Sequence, residues 1–182
     1  VKNEIGYKNL IHLSSLSYLK TNNDVGISID DLEGHSDGLF CYLGGEFNPL
    51  LILHSQNKKT SDLIKKLQQL FKNTLFFELQ RINDLDLDSF EDELIKFSNE
   101  FNIPLIGTNN IKFGEEDDFP AHDALLCVAQ KTTINNGSRK TSNNQIAFKS
   151  TDQMMEVFAD IPEIIDNNFN IAISCSYYPR EV

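Results

Sequence analysis

The chain has 182 residues, with 27 Asp and Glu against 16 Lys and Arg, a formal net charge of -11 and a pI near 4.7. That is enough polypeptide for one domain with a real core and too little for a polymerase. The acidity excludes a main DNA-gripping surface, which needs clustered Lys and Arg, and no apolar run reaches the roughly 18 residues of a membrane span or follows a signal-peptide pattern.

In chain order, Ile5, Leu10, Ile11, Leu13, Leu16 and Leu19 recur at helical spacing, so an amphipathic helix is expected over 4–20, stopped by the polar group Thr21-Asn22-Asn23-Asp24. A helical turn over 29–33 and a turn at His35-Ser36-Asp37-Gly38 precede the continuous apolar run Leu39-Phe40-Cys41-Tyr42-Leu43, which reads as a strand covered on both faces. Gly44-Gly45 ends it, where a flexible backbone can come close to a ligand. Short helices are expected over 50–54 and 61–71, the second with Leu63, Ile64, Leu67, Leu70 and Phe71 on one face.

A strand over 74–79 follows, then an acidic stretch over 83–88 and a helix over 89–101 striped by Phe90, Leu94, Ile95 and Phe97. The run Ile103-Pro104-Leu105-Ile106, closed by Gly107, is a third buried strand whose end carries Thr108, Asn109, Asn110 and Lys112. Polar side chains at such strand ends commonly line a site. A helix over 117–130, with acids in its first turn, Pro120 early and Leu125, Leu126 and Val128 apolar, is expected to pack back onto that strand. Residues 131–144 form a polar loop, 146–148 a short strand or extended arm, and two final helices cover 153–158, capped by Ser150-Thr151-Asp152, and 160–174, with Pro162 near the start. Alternating strands and helices indicate an α/β fold with a mostly parallel sheet or barrel.

Three widely spaced cysteines, Cys41, Cys127 and Cys175, sit in apolar runs and read as reduced small hydrophobes of a cytosolic protein. The small basic groups Lys58-Lys59, Lys65-Lys66 and Arg139-Lys140 read as solvated surface. His12, His35, His54 and His122 are dispersed and lack zinc-ligand spacing. Glu78 is either a buried base or, the favoured reading, a strand-end carboxylate tied into backbone or Arg81 hydrogen bonds. The acids over 115–118 could hold a cation, although acids in a first helical turn ordinarily complement the helix dipole. Val1 is not an initiator methionine and Pro179-Arg180-Glu181-Val182 is no evident stop, so a piece of a longer protein is expected.

The string Thr108-Asn109-Asn110-Ile111-Lys112, the acidic group after it and Ala121-His122-Asp123-Ala124-Leu125-Leu126-Cys127 together resemble the last metal-site motif of the PHP (polymerase and histidinol phosphatase) domain in bacterial DNA polymerase III alpha subunits. Residues 3–10, 38–45, 76–80 and 158–163 agree with the same family in the same order, so the resemblance covers nearly the whole chain. It implies that 1–182 is a single partial domain, a distorted PHP-type β/α barrel lacking its N-terminal strands. Active members hold divalent metals with histidines, carboxylates and sometimes a cysteine, and use them to activate water for phosphoester hydrolysis. Here Gly45 stands where a ligand cysteine often ends the pocket strand, Asn110 where the motif has Asp and Lys112 where it has His. A glycine cannot ligate, a neutral amide ligates weakly and an ammonium repels a cation.

The resemblance therefore implies no catalytic residue and no metal ligand in this segment, with Thr108, Asn109, His122 and Glu78 as structural residues near the pocket. Lys112 either substitutes its charge for a metal by bridging acids or, as favoured, has simply drifted in a dead pocket; His122 reads as a structural hydrogen-bonding residue. The implied function is a segment of the replicative DNA-directed DNA polymerase, with Mg serving the parent enzyme and no cofactor in this segment. The segment would be a scaffold and docking surface for the proofreading exonuclease, reaching DNA only through the parent, in the bacterial cytoplasm and off the membrane. Two alternatives stay open: an active metal-dependent phosphoesterase or 3'-5' exonuclease using ligands upstream of Val1, and a free-standing acidic interaction module.

Overall fold

The computed structural model describes residues 1–19, 26–139 and 141–179. Lys20, the expected stop Thr21-Asn22-Asn23-Asp24, Lys140 and Arg180-Glu181-Val182 lie outside them. Three parallel strands, β1 (Cys41–Gly44), β2 (Leu75–Gln80) and β3 (Leu105–Thr108), form one sheet in the order β1-β2-β3. Leu43 lies opposite Phe77, and Phe77 opposite Leu105. The connections are helical, as parallel pairing demands: α2 (Pro49–Ser55) and α3 (Ser61–Phe71) join β1 to β2, and α4 (Leu85–Phe101) joins β2 to β3. The architecture is thus mixed α/β, and the described strands form an open sheet rather than a closed barrel.

Alternation along β2 sorts its side chains. Leu75, Phe77 and Leu79 enter the main core with Ile64, Leu67 and Phe71 of α3 and Phe90, Leu94 and Phe97 of α4. Burying side chains of this size is worth about 1.5–3 kcal/mol each. The other face begins with a small cluster of Phe76 and Ile106 beside Phe40, and becomes polar toward the strand ends at Glu78, Gln80 and Thr108.

Several boundaries differ from those expected. α4 starts at Leu85, inside the acidic stretch, because Asp84 caps it, accepting from Asp86 N and Leu87 N at 3.1 and 3.2 Å. β1 begins at Cys41, and β3 is displaced to Leu105–Thr108 because Ile103 still belongs to the exit from α4: its N–H reaches Ser98 O and Ser98 Oγ donates back to Ile103 O. Left-handed Asn102, at φ 52°, makes that exit. The helix α1 (Glu4–Leu19) forms as expected, but of its apolar stripe only Leu13 is buried, and Ile5, Leu10, Ile11 and Leu19 are exposed.

The largest correction concerns the helix beside β3. α5 (Phe119–Ala129), preceded by a 3-10 turn at Glu116–Asp118, leaves Leu125 64% and Val128 74% exposed and buries Asp123 and Cys127 instead. After α6 (Thr151–Val157), whose N-cap Ser150 forms a capping box with Gln153, comes α7 (Glu163–Ser174), and it is α7 that packs on β3. Phe158 and Ile164 close over Gly107, where a Cβ would come within 2.5 Å of the Phe158 ring. Residues 146–148 split the expected alternatives: Ile146 ends a 3-10 turn, while Ala147 makes an isolated parallel bridge to Phe113.

Candidate functional site

The C-terminal ends of all three strands open on one side of the sheet, where such folds commonly place sites. A cavity of about 360 Å³ there is lined by Gly45, Glu46, Glu78, Gln80, Asn110 and Lys112, with Tyr42 at its wall. A second cavity, about 310 Å³, shares Glu46, Asn110 and Lys112 and adds Asp84, His122 and Asn143. Gly45, Glu78, Asn110, Lys112 and His122, separated by up to 77 positions in the chain, thus meet around one composite pocket.

Each is brought there by a local device. Gly44 lies so close to β2 that a Cβ would sit 2.3 Å from Glu78 Cβ, and Gly45 turns the chain out of β1 at φ +72°. The close approach expected at this glycine pair is therefore to Glu78 of the neighbouring strand. Asn110 and Lys112 are held by the bridge to the late segment: Lys112 N donates to Ile146 O at 3.0 Å and Phe148 N to Phe113 O at 3.0 Å. Asn109 Nδ2 adds a bond to Ala147 O at 2.6 Å, while its Oδ1 is buried with no partner among the described residues.

Glu78 is tied across the strand ends. Thr108 Oγ1 donates to Glu78 Oε1 at 2.5 Å and accepts from Gln80 Nε2 at 3.0 Å; Gln80 Nε2 also lies 3.4 Å from Glu78 Oε1. Its partner is Thr108 and not the expected Arg81. Arg81 instead forks to Glu91 (Nη2 to Oε1, 2.6 Å) and Asp160 (Nη1 to Oδ1, 2.5 Å; Nη2 to Oδ2, 2.8 Å), and donates to Val157 O at 2.7 Å. Its guanidinium also lies over the Phe158 ring, 5.1 Å from the centroid. Arg81 therefore clamps β2 to α4 and to the turn between α6 and α7. Asp160 gives hydrogen bonds on this cation as the main cause of a carboxyl held below its ordinary range.

His122 packs its ring at 5.1 Å, tilted, against Phe113, and makes no hydrogen bond among the described residues. The buried member of the Ala-His-Asp motif is Asp123, which receives Arg139 in bidentate fashion at 2.6 and 2.7 Å. The hydrogen-bonded guanidinium lowers the Asp123 carboxyl from its usual value. Arg139 is hence no solvated surface residue but the anchor of the polar loop on α5. Sequence reasoning missed Glu46, Gln80 and Tyr42 in the pocket and these two arginine clamps; only the invading position of an arginine directly after an apolar strand hinted at Arg81.

The donor set does not fit a metal cluster. Lys112 is exposed and makes no ion pair among the described residues, so the acid-bridging role is not formed, and its charge opposes a cation. No group of three or more His, Cys, Asp or Glu side chains among the described residues is placed to hold a metal. Burial pushes the Cys41 thiol up to about 11, and burial first, with Cys175, Glu78 and Cys41 nearby, pushes the Tyr42 phenol up to about 12, so both stay protonated at neutral pH. All three cysteines are free; Cys127 is buried and Cys41 half-buried, as small hydrophobes are, but Cys175 is exposed. No helix among the described residues is long and apolar enough to cross a membrane.

Comparison with known proteins agrees with the resemblance read from the motifs. The PHP domain family matches residues 1–82. Over 181 residues the chain is 33% identical to the DNA polymerase III subunit alpha of Rickettsia bellii, an alignment covering 97% of this chain and 15% of that protein. The corresponding proteins of Borreliella burgdorferi and Campylobacter jejuni are each 35% identical, over 178 and 189 residues, covering 96% of this chain and 16% of theirs. The chain spans about 15% of the length of the curated relatives it matches.

Proposed function

We propose that the chain belongs with the PHP domains of DNA polymerase III alpha subunits and is a scaffold segment of such a subunit, its metal site lost and its outer surface serving to dock the proofreading exonuclease. In this reading residues 1–182 are one partial domain of a β/α barrel, and polymerisation of DNA, with its Mg, belongs to the parent enzyme in the bacterial cytoplasm. The observation that carries it is the company at the strand ends: Lys112 and Asn110 face the same cavity as Glu46 and Glu78, at the two positions where active PHP domains keep His and Asp. An ammonium in that place raises the electrostatic cost of bringing in a divalent ion. The exposed apolar side of α1, with Ile5, Leu10, Ile11 and Leu19, supports a scaffold that packs against more polypeptide than its own.

The test has two parts. Metal content after dialysis against zinc and manganese is expected to be negligible for the chain as it stands and to rise in the double substitution Asn110→Asp, Lys112→His; tight metal in the unchanged chain would overturn the lost site. Binding of a purified proofreading exonuclease subunit is expected to survive that double substitution, because docking and the pocket are separate; failure to bind either form would remove the docking role.

A further inference from the structure

We infer, on the basis of the docking role proposed above, that the outer face of α5 and the loop after it form the docking surface. Its occupant is an amphipathic helix of the partner, with Lys or Arg at one end of an apolar stripe. Ala121, Leu125 and Val128 fall at i, i+4 and i+7 on one side of α5, and all three are exposed, Leu125 by 64% and Val128 by 74%. Ile134, 58% exposed on the loop, adds a fourth apolar side chain.

Charge, and not apolar burial, sets the orientation of α5. Asp123 takes Arg139 at 2.6 and 2.7 Å, with side chains only 12% and 9% exposed, so a bidentate ion pair occupies the inner side of the helix. Burying a charged pair carries a desolvation cost that burying Leu125 and Val128 would not. A helix held in this way presents its own apolar stripe outward, with acids at its border, as the apolar centre and polar rim of an interface do.

The same arginine fixes the surface. Arg139 Nε donates to Ile134 O at 3.1 Å, which holds Ile134 beside α5. Lys131, left-handed at φ 53°, ends the helix, and Thr132 N returns to Cys127 O at 3.0 Å. Asn136 then gathers the loop, its Nδ2 donating to Thr132 Oγ1 at 2.9 Å and its Oδ1 accepting from Ser138 N and Oγ at 3.1 and 2.8 Å. A face built beforehand loses little conformational freedom when a partner binds.

The charge around the stripe specifies the chemistry of the partner. From Phe113 to Gln130 the chain has five acids and no Lys or Arg. Asp123 is paired, while Glu115, Glu116, Asp117 and Asp118 are exposed at the head of α5 and make no ion pair among the described residues. Four carboxylates at one end of an apolar stripe complement a helix with apolar side chains at i, i+3, i+4 and i+7 and cations at its end. The exposed side of α1 has no such bias, since its Glu4 is paired with Lys8 at 2.8 Å.

Equilibrium binding of the purified proofreading exonuclease subunit to the 182-residue chain tests the surface. Leu125→Ser with Val128→Ser should weaken it about tenfold, and the milder Leu125→Ala with Val128→Ala about threefold, with circular dichroism unchanged because both side chains are already exposed. Glu116→Gln with Asp117→Asn should weaken it at low salt and flatten its salt dependence. Ile11→Ser with Leu19→Ser, on α1, should leave it unchanged. Failure of the unchanged chain to bind removes the docking role and this surface with it. Binding that persists in folded α5 variants, or that is lost through the α1 substitutions instead, overturns the surface while the docking role stands.

Discussion

Asn168 and Gly107 are joined by two hydrogen bonds, Asn168 Nδ2 donating to Gly107 O at 2.6 Å and Gly107 N donating to Asn168 Oδ1 at 3.3 Å. One amide side chain thereby does for the outer edge of β3 what a neighbouring strand would do, and Asn167 Nδ2 repeats the device at Leu105 O, 2.8 Å away. An exposed strand edge invites pairing with other chains. The helix α7 closes this one.

Asn168→Ala should therefore cost about 1–2 kcal/mol, two net hydrogen bonds at roughly 1 kcal/mol each. Gly107→Ala should cost about 1–3 kcal/mol for a different reason, since its methyl would enter the Phe158 ring and Ile164. Urea unfolding reads both. An Asn168→Ala midpoint equal to that of the parent would mean that α7 is held by apolar contacts alone.

Arg81→Gln should lower stability by about 2 kcal/mol, because Glu91 and Asp160 lose their shared cation and Val157 O its donor while a partly exposed site lets water replace some of the loss. Proteolysis should then cut first near the turn between α6 and α7. A cleavage pattern identical to that of the unchanged chain would argue against the clamp.

Acid should destabilise the fold through Asp160 and Asp123. Both carboxyls are held low by hydrogen bonds from Arg81 and Arg139, so their stabilisation is present above the unfolded-state value of about 4 and is lost as pH falls through the lower folded value. Melting temperature followed from pH 6 downward should drop, and Asp123→Asn should start lower at neutral pH and fall less steeply. Parallel curves for the two proteins would place the acid sensitivity elsewhere.

Thiol reagents should label Cys175 first. Cys41 is half-buried and its thiol is pushed up to about 11, and Cys127 is buried, so at neutral pH both should react only as the chain opens. Stoichiometry in buffer is expected to be one rapid thiol, rising to three in denaturant. Three rapid thiols in buffer would show that the core around β1 and α5 opens readily.

Local sequence was decisive where local physics is. The stripe Ile64, Leu67, Phe71 defined α3 to the residue, Ser150-Thr151-Asp152 announced α6 to within two residues of its start, and the apolar run before Gln80 placed β2, because capping, helical period and apolar clustering act within a few residues. Asn110, Lys112, Gly45 and Glu78, singled out through the family resemblance, line one cavity at the strand ends. Partnership was another matter. That Glu78 binds Thr108 and not Arg81, that α7 and not α5 covers β3, and that Arg139 belongs to Asp123 are facts of tertiary packing. Charges and amides carry no label of the partner they will meet; only the geometry of the packed elements, which brings residues 61 or more positions apart within 3 Å as at Asn168 and Gly107, selects it.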